Sequence, residues 1–263
     1  MDEPIPPRPD ALHAAPPMPP PPGGPASALA ARPKATWRWW EALGVYLLVF
    51  FVAGFATLPV IRSIDSEDLA TLVASLVASL VIVAGLVFWL QRTQPGWPAV
   101  MGLPERWATE IRAGVVWGIA LYPAVVFVVG LTINLLLRAI SGEVVRAPEQ
   151  IPQDLPTFGV IVTLFYGIVV APLGEEFFFR GVLFRSIRDR HGFWPGALGS
   201  SVAFGLIHYM PGPGLDAVLL MSVMVFTGVG LAWIYERRGT IVAPMAAHVT
   251  FNVIGVVLIY ALR

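Results

Sequence analysis

The chain has no cysteine, so it has no disulfide bond, no thiol nucleophile and no thiolate ligand for a metal. It also lacks the HExxH pattern of common zinc proteases and the GxSxG pattern of many serine hydrolases. Any catalytic chemistry must therefore come from other side chains in a different arrangement.

Charged residues are scarce as well. They make up 13% of the 263 residues, against about 25% in soluble proteins, and the mean hydropathy is +0.72. This composition predicts an all-α fold, a polytopic bundle of about seven transmembrane helices in contact with the lipid bilayer. The formal net charge is zero, and we expect no nucleic-acid partner.

Seven apolar segments account for most of the chain, and most of them reach the ~20 residues that a helix needs to cross the bilayer. The fifth segment is short and rich in glycine, so its ends are the least defined. The first three segments fall in an accessory region, 37–150, and the last four form a core region, 151–263. The segments run roughly over 41–61, 69–90, 113–137, 157–178, 194–210, 215–235 and 240–262.

The first 36 residues have a different composition. Twelve of the 25 prolines lie between Met1 and Lys34, and such a segment cannot bury enough apolar surface to fold. We expect residues 1–36 to form a disordered, proline-rich cytoplasmic tail. A docking site for a proline-recognising partner is the alternative.

Basic residues orient the predicted bundle. With the N-terminus in the cytoplasm, twelve of the 17 basic residues lie on the cytoplasmic side and four on the other, as the positive-inside rule requires. We therefore expect a multi-pass protein of the cell (inner) membrane. Three arginines of the cytoplasmic set, Arg185, Arg188 and Arg190, are expected to face lipid headgroups.

A few polar residues lie inside the last four apolar segments, where a charge costs on the order of 3 kcal/mol and must face protein or water. They are Glu175, Glu176, Arg180, His208, His248 and Asn252. At ~1.5 Å per residue from the nearest cytoplasmic cluster, Glu175, His208 and His248 lie at similar depths, ~22, ~21 and ~15 Å.

The spacing within each helix suggests separate roles. Glu176 and Arg180 are four residues apart, which suits an ion pair, and Glu175 then points about 100° away and is free for chemistry. His248 and Asn252 share one face by the same spacing. A glutamate can serve as general base on water. Two histidines can bind zinc or stabilise an oxyanion, to which an asparagine can also donate. Together these residues suit water-mediated hydrolysis of an acyl bond.

Three motifs give the chain a family resemblance. "EEFFFR" (Glu175–Arg180), "FGLIH" (Phe204–His208) and "HVTFN" (His248–Asn252) match, in order, the motifs EExxxR, FxxxH and HxxxN. In these the chain resembles the CAAX proteases and bacteriocin-processing enzymes, also called the ABI or CPBP intramembrane metalloproteases, which include the type II CAAX prenyl endopeptidases. The resemblance covers roughly 155–262, four spans.

The resemblance implies an intramembrane endopeptidase in which Glu175 activates the attacking water. It implies that Glu176 and Arg180 position that glutamate and that His208, His248 and Asn252 complete the catalytic set. Two versions of the site stay open. One holds a zinc ion on His208, His248 and Glu175, and the other activates water with Glu and His alone.

Other functions remain as alternatives. The chain could be a non-catalytic scaffold or immunity-type protein that retains the motifs, or a proton-coupled transporter that uses the same cluster. For the protease, the expected substrate is a peptide or a membrane-anchored protein. A prenylated C-terminal substrate fits the family's name, whereas the scarcity of lysine suggests a bacterium, in which such prenylation is not expected.

Topology reporters test the orientation. A phosphatase that is active only outside the cytoplasm is expected to be inactive at the N-terminus and active at the C-terminus, because seven spans place the two ends on opposite sides. A cytoplasmic reporter such as green fluorescent protein serves as the reciprocal control. Both ends on one side would contradict the seven-span arrangement.

Overall fold

The computed structural model describes residues 27–105, 107–145, 157–209 and 214–261. Within these ranges the chain is helical and contains no β-strand. The polytopic all-α fold class predicted from the sequence is therefore confirmed. Residues 1–26 of the predicted tail lie outside the described ranges.

Eight α-helices follow a short 3-10 turn at Leu29–Ala31. Helices α4 and α5 are continuous but include π-helical stretches, at Ala124–Gly130 in α4 and at Tyr166–Val170 and Phe177–Phe184 in α5. The helices are α1 Trp39–Ser63, α2 Glu67–Thr93, α3 Trp97–Val100, α4 Trp107–Ser141, α5 Phe158–His191, α6 Phe193–Ile207, α7 Leu215–Arg238 and α8 Val242–Ala261.

Six helices of the described chain are long and apolar enough to cross a membrane, namely α1, α2, α4, α5, α7 and α8. The fifth apolar segment of the sequence forms α6, which has 15 residues. A helix of that length extends ~22 Å, less than the ~30 Å of the hydrocarbon core. Helix α6 begins after Gly192, which follows the last residue of α5, and is therefore shorter than the hydrocarbon core is thick.

The core of the bundle forms around the second half of α5. Every residue of Phe177–Phe184 is buried, and its aromatic side chains pack against α1, α2, α6 and α7. Tyr46 of α1 stacks on Phe178, with ring centroids 3.9 Å apart. Apolar residues that would face lipid in a single helix here face other helices, so α5 becomes the central element.

Helix α8 is held against α4 by small residues. A Cβ atom placed on Gly114 would lie 2.3 Å from the carbonyl oxygen of Ala243, and one on Gly118 would lie 2.5 Å from that of Ala247. The backbones approach closely because both glycines lack a side chain, as at many membrane helix crossings. The sequence analysis did not identify this contact, which fixes the position of His248, the next residue after Ala247.

The N-terminal segment 27–36 packs on the end of the bundle where α5 ends. Leu29 is fully buried, and the guanidinium of Arg185 donates to the carbonyl oxygens of Leu29 and Pro33 at 3.5 and 2.6 Å. The carboxylate of Asp189 accepts a hydrogen bond from the backbone N–H of Ala35 at 2.9 Å. The packed part of the chain thus begins before residue 37.

For two of the three arginines at the end of α5, Arg185 and Arg188, the structure corrects the expectation that they face lipid headgroups. Arg185 is completely buried and forms an ion pair with Asp189 at 3.0 Å. Arg188 donates to both carboxylate oxygens of Glu236 on α7, at 2.9 and 2.5 Å. The basic cluster was visible in the sequence. Glu236, the partner of Arg188 on α7, lies 48 residues away in the sequence, and the packing of the helices brings the two together.

Substitution of Gly118 tests the α4–α8 contact. We expect Gly118→Ala to lower the midpoint of thermal unfolding in detergent, since the added methyl overpacks the crossing by about 1–3 kcal/mol. Gly54→Ala on α1 is the matched control, because nothing lies within 4 Å of its Cβ position. Equal midpoints for the two variants would show that the close crossing does not limit stability.

Candidate active site

The two glutamates lie at the point where α5 changes its helical hydrogen bonding. Residues Ala171–Glu176 are α-helical and are flanked by the two π-helical stretches of α5. Pro172 has no N–H and cannot donate to a carbonyl of the preceding turn. π-Helical stretches of this kind are frequent at functional sites because they change the direction of side chains along a helix.

Asn252 compensates for the donor that Pro172 lacks. The N–H of Ala171 bonds to the carbonyl of Tyr166 in the π-helical pattern, so the next carbonyl, that of Gly167, would require the missing N–H of Pro172. The side-chain amide of Asn252 donates to this carbonyl at 2.8 Å. The contact that Asn252 makes in the structure is thus a hydrogen bond between α8 and α5.

Glu176 is the centre of the buried part of the site. Its side chain is 0% exposed, and its Oε1 lies 3.0 Å from Nη1 of Arg180 and 3.0 Å from Nδ1 of His248. The ion pair expected from the i, i+4 spacing is therefore present. One carboxylate oxygen thereby joins the arginine of its own helix to the histidine of α8.

This contact determines the tautomer of His248. A carboxylate can only accept hydrogen bonds, so Nδ1 of His248 must carry the proton that it donates to Glu176. In the neutral imidazole Nε2 then has a free lone pair. A carboxylate on the second nitrogen also fixes the orientation of the ring.

Glu175 faces that free nitrogen. Its side chain is 23% exposed, and its Oε2 lies 3.8 Å from Nε2 of His248. The distance is too long for a hydrogen bond, and both atoms are acceptors. It leaves room for one water molecule that donates to each atom, at about 2.8 Å per hydrogen bond.

His208 directly follows the last residue of α6, and its side chain contacts Phe204, one turn earlier in the chain. Its Nδ1 donates to the carbonyl of Phe204 at 2.8 Å, so its Nε2 is also unprotonated in the neutral form. Its ring packs edge-on to the ring of Phe204, with centroids 4.6 Å apart. Among the residues that the structure describes, His208 has no hydrogen bond to Glu175 or His248.

Phe204 contacts three of the predicted site residues. The ring of His248 packs edge-on to it at 5.7 Å, on the same ring that contacts His208. The guanidinium carbon of Arg180 lies 4.5 Å from the centroid, a cation–π contact. The sequence analysis noted Phe204 as part of a motif but gave it no role. In the structure its ring contacts both imidazoles and the guanidinium of Arg180.

Tyr46 is a second residue that the sequence analysis missed. It lies on α1, stacks on Phe178 and interacts electrostatically with Glu175 and with Tyr166. The hydroxyl of Tyr166 lies 3.2 Å from that of Ser79 on α2. These contacts bring the accessory helices α1 and α2 to the side of the site where Glu175 is exposed. No motif in the sequence indicated them.

The predicted zinc ligands do not form a cluster. Within the described part of the chain, no three histidine, aspartate or glutamate side chains are placed to hold a metal ion together. His248 and Glu175 face each other, and His208 packs on the ring of Phe204. The geometry therefore does not fit a three-ligand zinc site, and the zinc ion stays a prediction.

The comparisons with known proteins agree with the resemblance drawn from the motifs. Residues 157–254 match the family model described as "Type II CAAX prenyl endopeptidase Rce1-like". A protein of Bacillus subtilis (strain 168) named "Putative membrane peptidase YdiL" is 27% identical over 157 residues, which cover 57% of this chain and 58% of that protein. The match thus spans little more than half of the relative's length. No solved structure matches the chain significantly.

The two glutamates are expected to differ in their effect on stability. Glu176→Gln leaves the guanidinium of Arg180 buried without its counter-ion, which costs about 3–5 kcal/mol. Glu175→Gln breaks no hydrogen bond or close ion pair and should leave the unfolding midpoint nearly unchanged. Thermal unfolding of both variants in the same detergent measures the difference. A larger loss for Glu175→Gln would contradict this assignment of the buried charge.

Proposed function

We propose that this chain is an intramembrane endopeptidase that hydrolyses a peptide bond with a water molecule activated by Glu175. The observation that supports it best is the opposed pair of acceptors, Glu175 Oε2 and His248 Nε2, 3.8 Å apart. The Rce1-like match over residues 157–254 and the membrane peptidase name of the relative support the same reaction class.

In the proposed first step, the water bound between Glu175 and His248 attacks the carbonyl carbon of the scissile bond. Its proton passes to the carboxylate of Glu175, which acts as general base. The carbonyl π electrons move to oxygen and give a tetrahedral intermediate. His248 is held for this task by Glu176, because the hydrogen bond to its Nδ1 fixes the ring and leaves Nε2 directed at the water.

In the second step the intermediate collapses and the carbon–nitrogen bond breaks. Glu175 returns its proton to the leaving nitrogen, so one carboxylate serves as base and then as acid. Asn252 and His208 are the proposed donors to the oxyanion. For this role His208 must be protonated or turn its ring, since its Nδ1 hydrogen is used by the carbonyl of Phe204.

The proposed substrate is a membrane-anchored polypeptide or a peptide at the membrane surface. The proposed catalytic residues lie in α5 and α8, with His208 directly after α6, and the apolar length of α5 and α8 supports a reaction within or beside the bilayer. The metalloprotease version of the proposal, with zinc on His208, His248 and Glu175, requires these three side chains to rearrange into a cluster that can hold a metal ion. We propose the cytoplasmic N-terminus and the inner membrane on the basic-residue bias.

Comparative membrane proteomics tests the proposed function. The strains are wild type, a gene deletion, Glu175→Gln, and Glu143→Gln as a control that removes an exposed carboxylate away from the site. We expect the deletion and Glu175→Gln to accumulate the same uncut polypeptide, with cleavage slowed about 100-fold or more by the loss of the general base. Glu143→Gln should match wild type.

Normal cleavage in the Glu175→Gln strain would contradict the proposed function. If the Glu175→Gln protein is present at wild-type amounts and every polypeptide is cut normally, while the deletion has a phenotype, the chain does not act as a Glu175-dependent protease. The non-catalytic scaffold would then be the function to pursue.

A further inference from the structure

Glu176, its ion-pair partner Arg180 and the nearby α6 contribute buried polar atoms that lack a hydrogen-bond partner among the described residues. They belong to three fully buried side chains on α5 and α6. The atoms are Oε2 of Glu176, Nε, Nη1 and Nη2 of Arg180 and Oγ of Ser201. Nη1 of Arg180 is within ion-pair distance of Glu176, but it is not aligned for a hydrogen bond.

Two of these groups lie against the same point on α7. A Cβ atom on Gly228 would lie 2.8 Å from Oγ of Ser201 and 3.0 Å from Nη2 of Arg180. Both polar atoms therefore face the backbone of Gly228. A glycine is required here because any side chain would displace the hydroxyl or the guanidinium.

The unpartnered atoms of Glu176, Arg180 and Ser201 include both hydrogen-bond donors and acceptors, so they suit a small neutral ligand that can donate and accept. Buried polar groups in folded proteins are satisfied by protein or by water, and an unsatisfied group loses the full free energy of its former hydration. The charges of Glu176 and Arg180 already compensate each other, so an added anion or cation would be left unpaired. A water molecule can accept from Arg180 and donate to Oε2 of Glu176 while it exchanges a hydrogen bond with Ser201.

We propose that water is bound in this pocket between Ser201, Arg180 and Glu176, and that Ser201 thereby positions the catalytic pair of Glu176 and His248. The hydroxyl of Ser201 orients the water, the water satisfies Arg180 and Oε2 of Glu176, and Oε1 stays directed at His248. The positioning part rests on the proposed function, whereas the water site does not.

The neighbouring serine provides a matched control. Ser200 is also completely buried, but its Oγ donates to the carbonyl of Ala197 on its own helix. Ser200 and Ser201 thus share residue type, burial and helix. They differ in whether the hydroxyl needs a partner beyond the helix.

Radiolytic hydroxyl-radical footprinting of the full chain in lipid nanodiscs tests the water site. Radicals formed from bound water modify adjacent side chains, so the buried ring of Phe204, which contacts Arg180, is expected to be oxidised in the wild-type protein. Ser201→Val fills the pocket and should reduce this oxidation several-fold, while Ser200→Ala should leave it unchanged. If Ser201→Val does not fold, Ser201→Ala is used in its place, and a smaller decrease in Phe204 oxidation is expected.

Kinetics of the same variants test the positioning role. We expect Ser201→Ala to lower kcat several-fold, up to about tenfold, with KM unchanged. Ser201→Thr, which keeps the hydroxyl, should restore kcat. No oxidation of Phe204 in wild type, or equal oxidation in both serine variants, would overturn the water site whether or not the chain is a protease. Unchanged kcat in Ser201→Ala would overturn the positioning role alone.

Discussion

The structure depends on one buried oxygen, Oε1 of Glu176, which Arg180 and His248 share at 3.0 Å each. A carboxylate without exposure to solvent is tolerated because a guanidinium four residues later in the same helix compensates its charge. That pairing lets the glutamate accept a hydrogen bond from α8 and so joins the two helices. Glu175 next to it is partly exposed, makes no close ion pair and is available for chemistry.

The surrounding helices serve to hold that contact. Phe204 of α6 contacts the guanidinium of Arg180 and both imidazoles. Gly228 of α7 leaves space for Arg180, and the glycines of α4 bring α8 close enough for His248 to reach Glu176. The accessory helices thus have a definite physical role, because a looser α4–α8 crossing would move the imidazole away from both glutamates.

The charged residues at the end of α5 are also paired. Arg185 and Arg188 were expected to face lipid headgroups, yet they pair with Asp189 and Glu236 and hold the segment 27–36 and α7 against α5. Few charges are present in this chain, and those that the bundle buries are paired. An intramembrane arginine or glutamate is therefore best understood through its partner.

The sequence by itself determined the all-helical membrane fold, the number of apolar segments and the residues that are candidates for the site. Length, hydropathy and i, i+4 spacing are local properties, and the Glu176–Arg180 pair lies within one helix. The tertiary structure alone decided that Glu176 binds His248, that Asn252 bonds to the carbonyl freed by Pro172, and that His208 and His248 both pack on the ring of Phe204. These contacts join residues up to 85 positions apart, and small-residue crossings and side-chain packing between helices, which no local pattern records, bring them together.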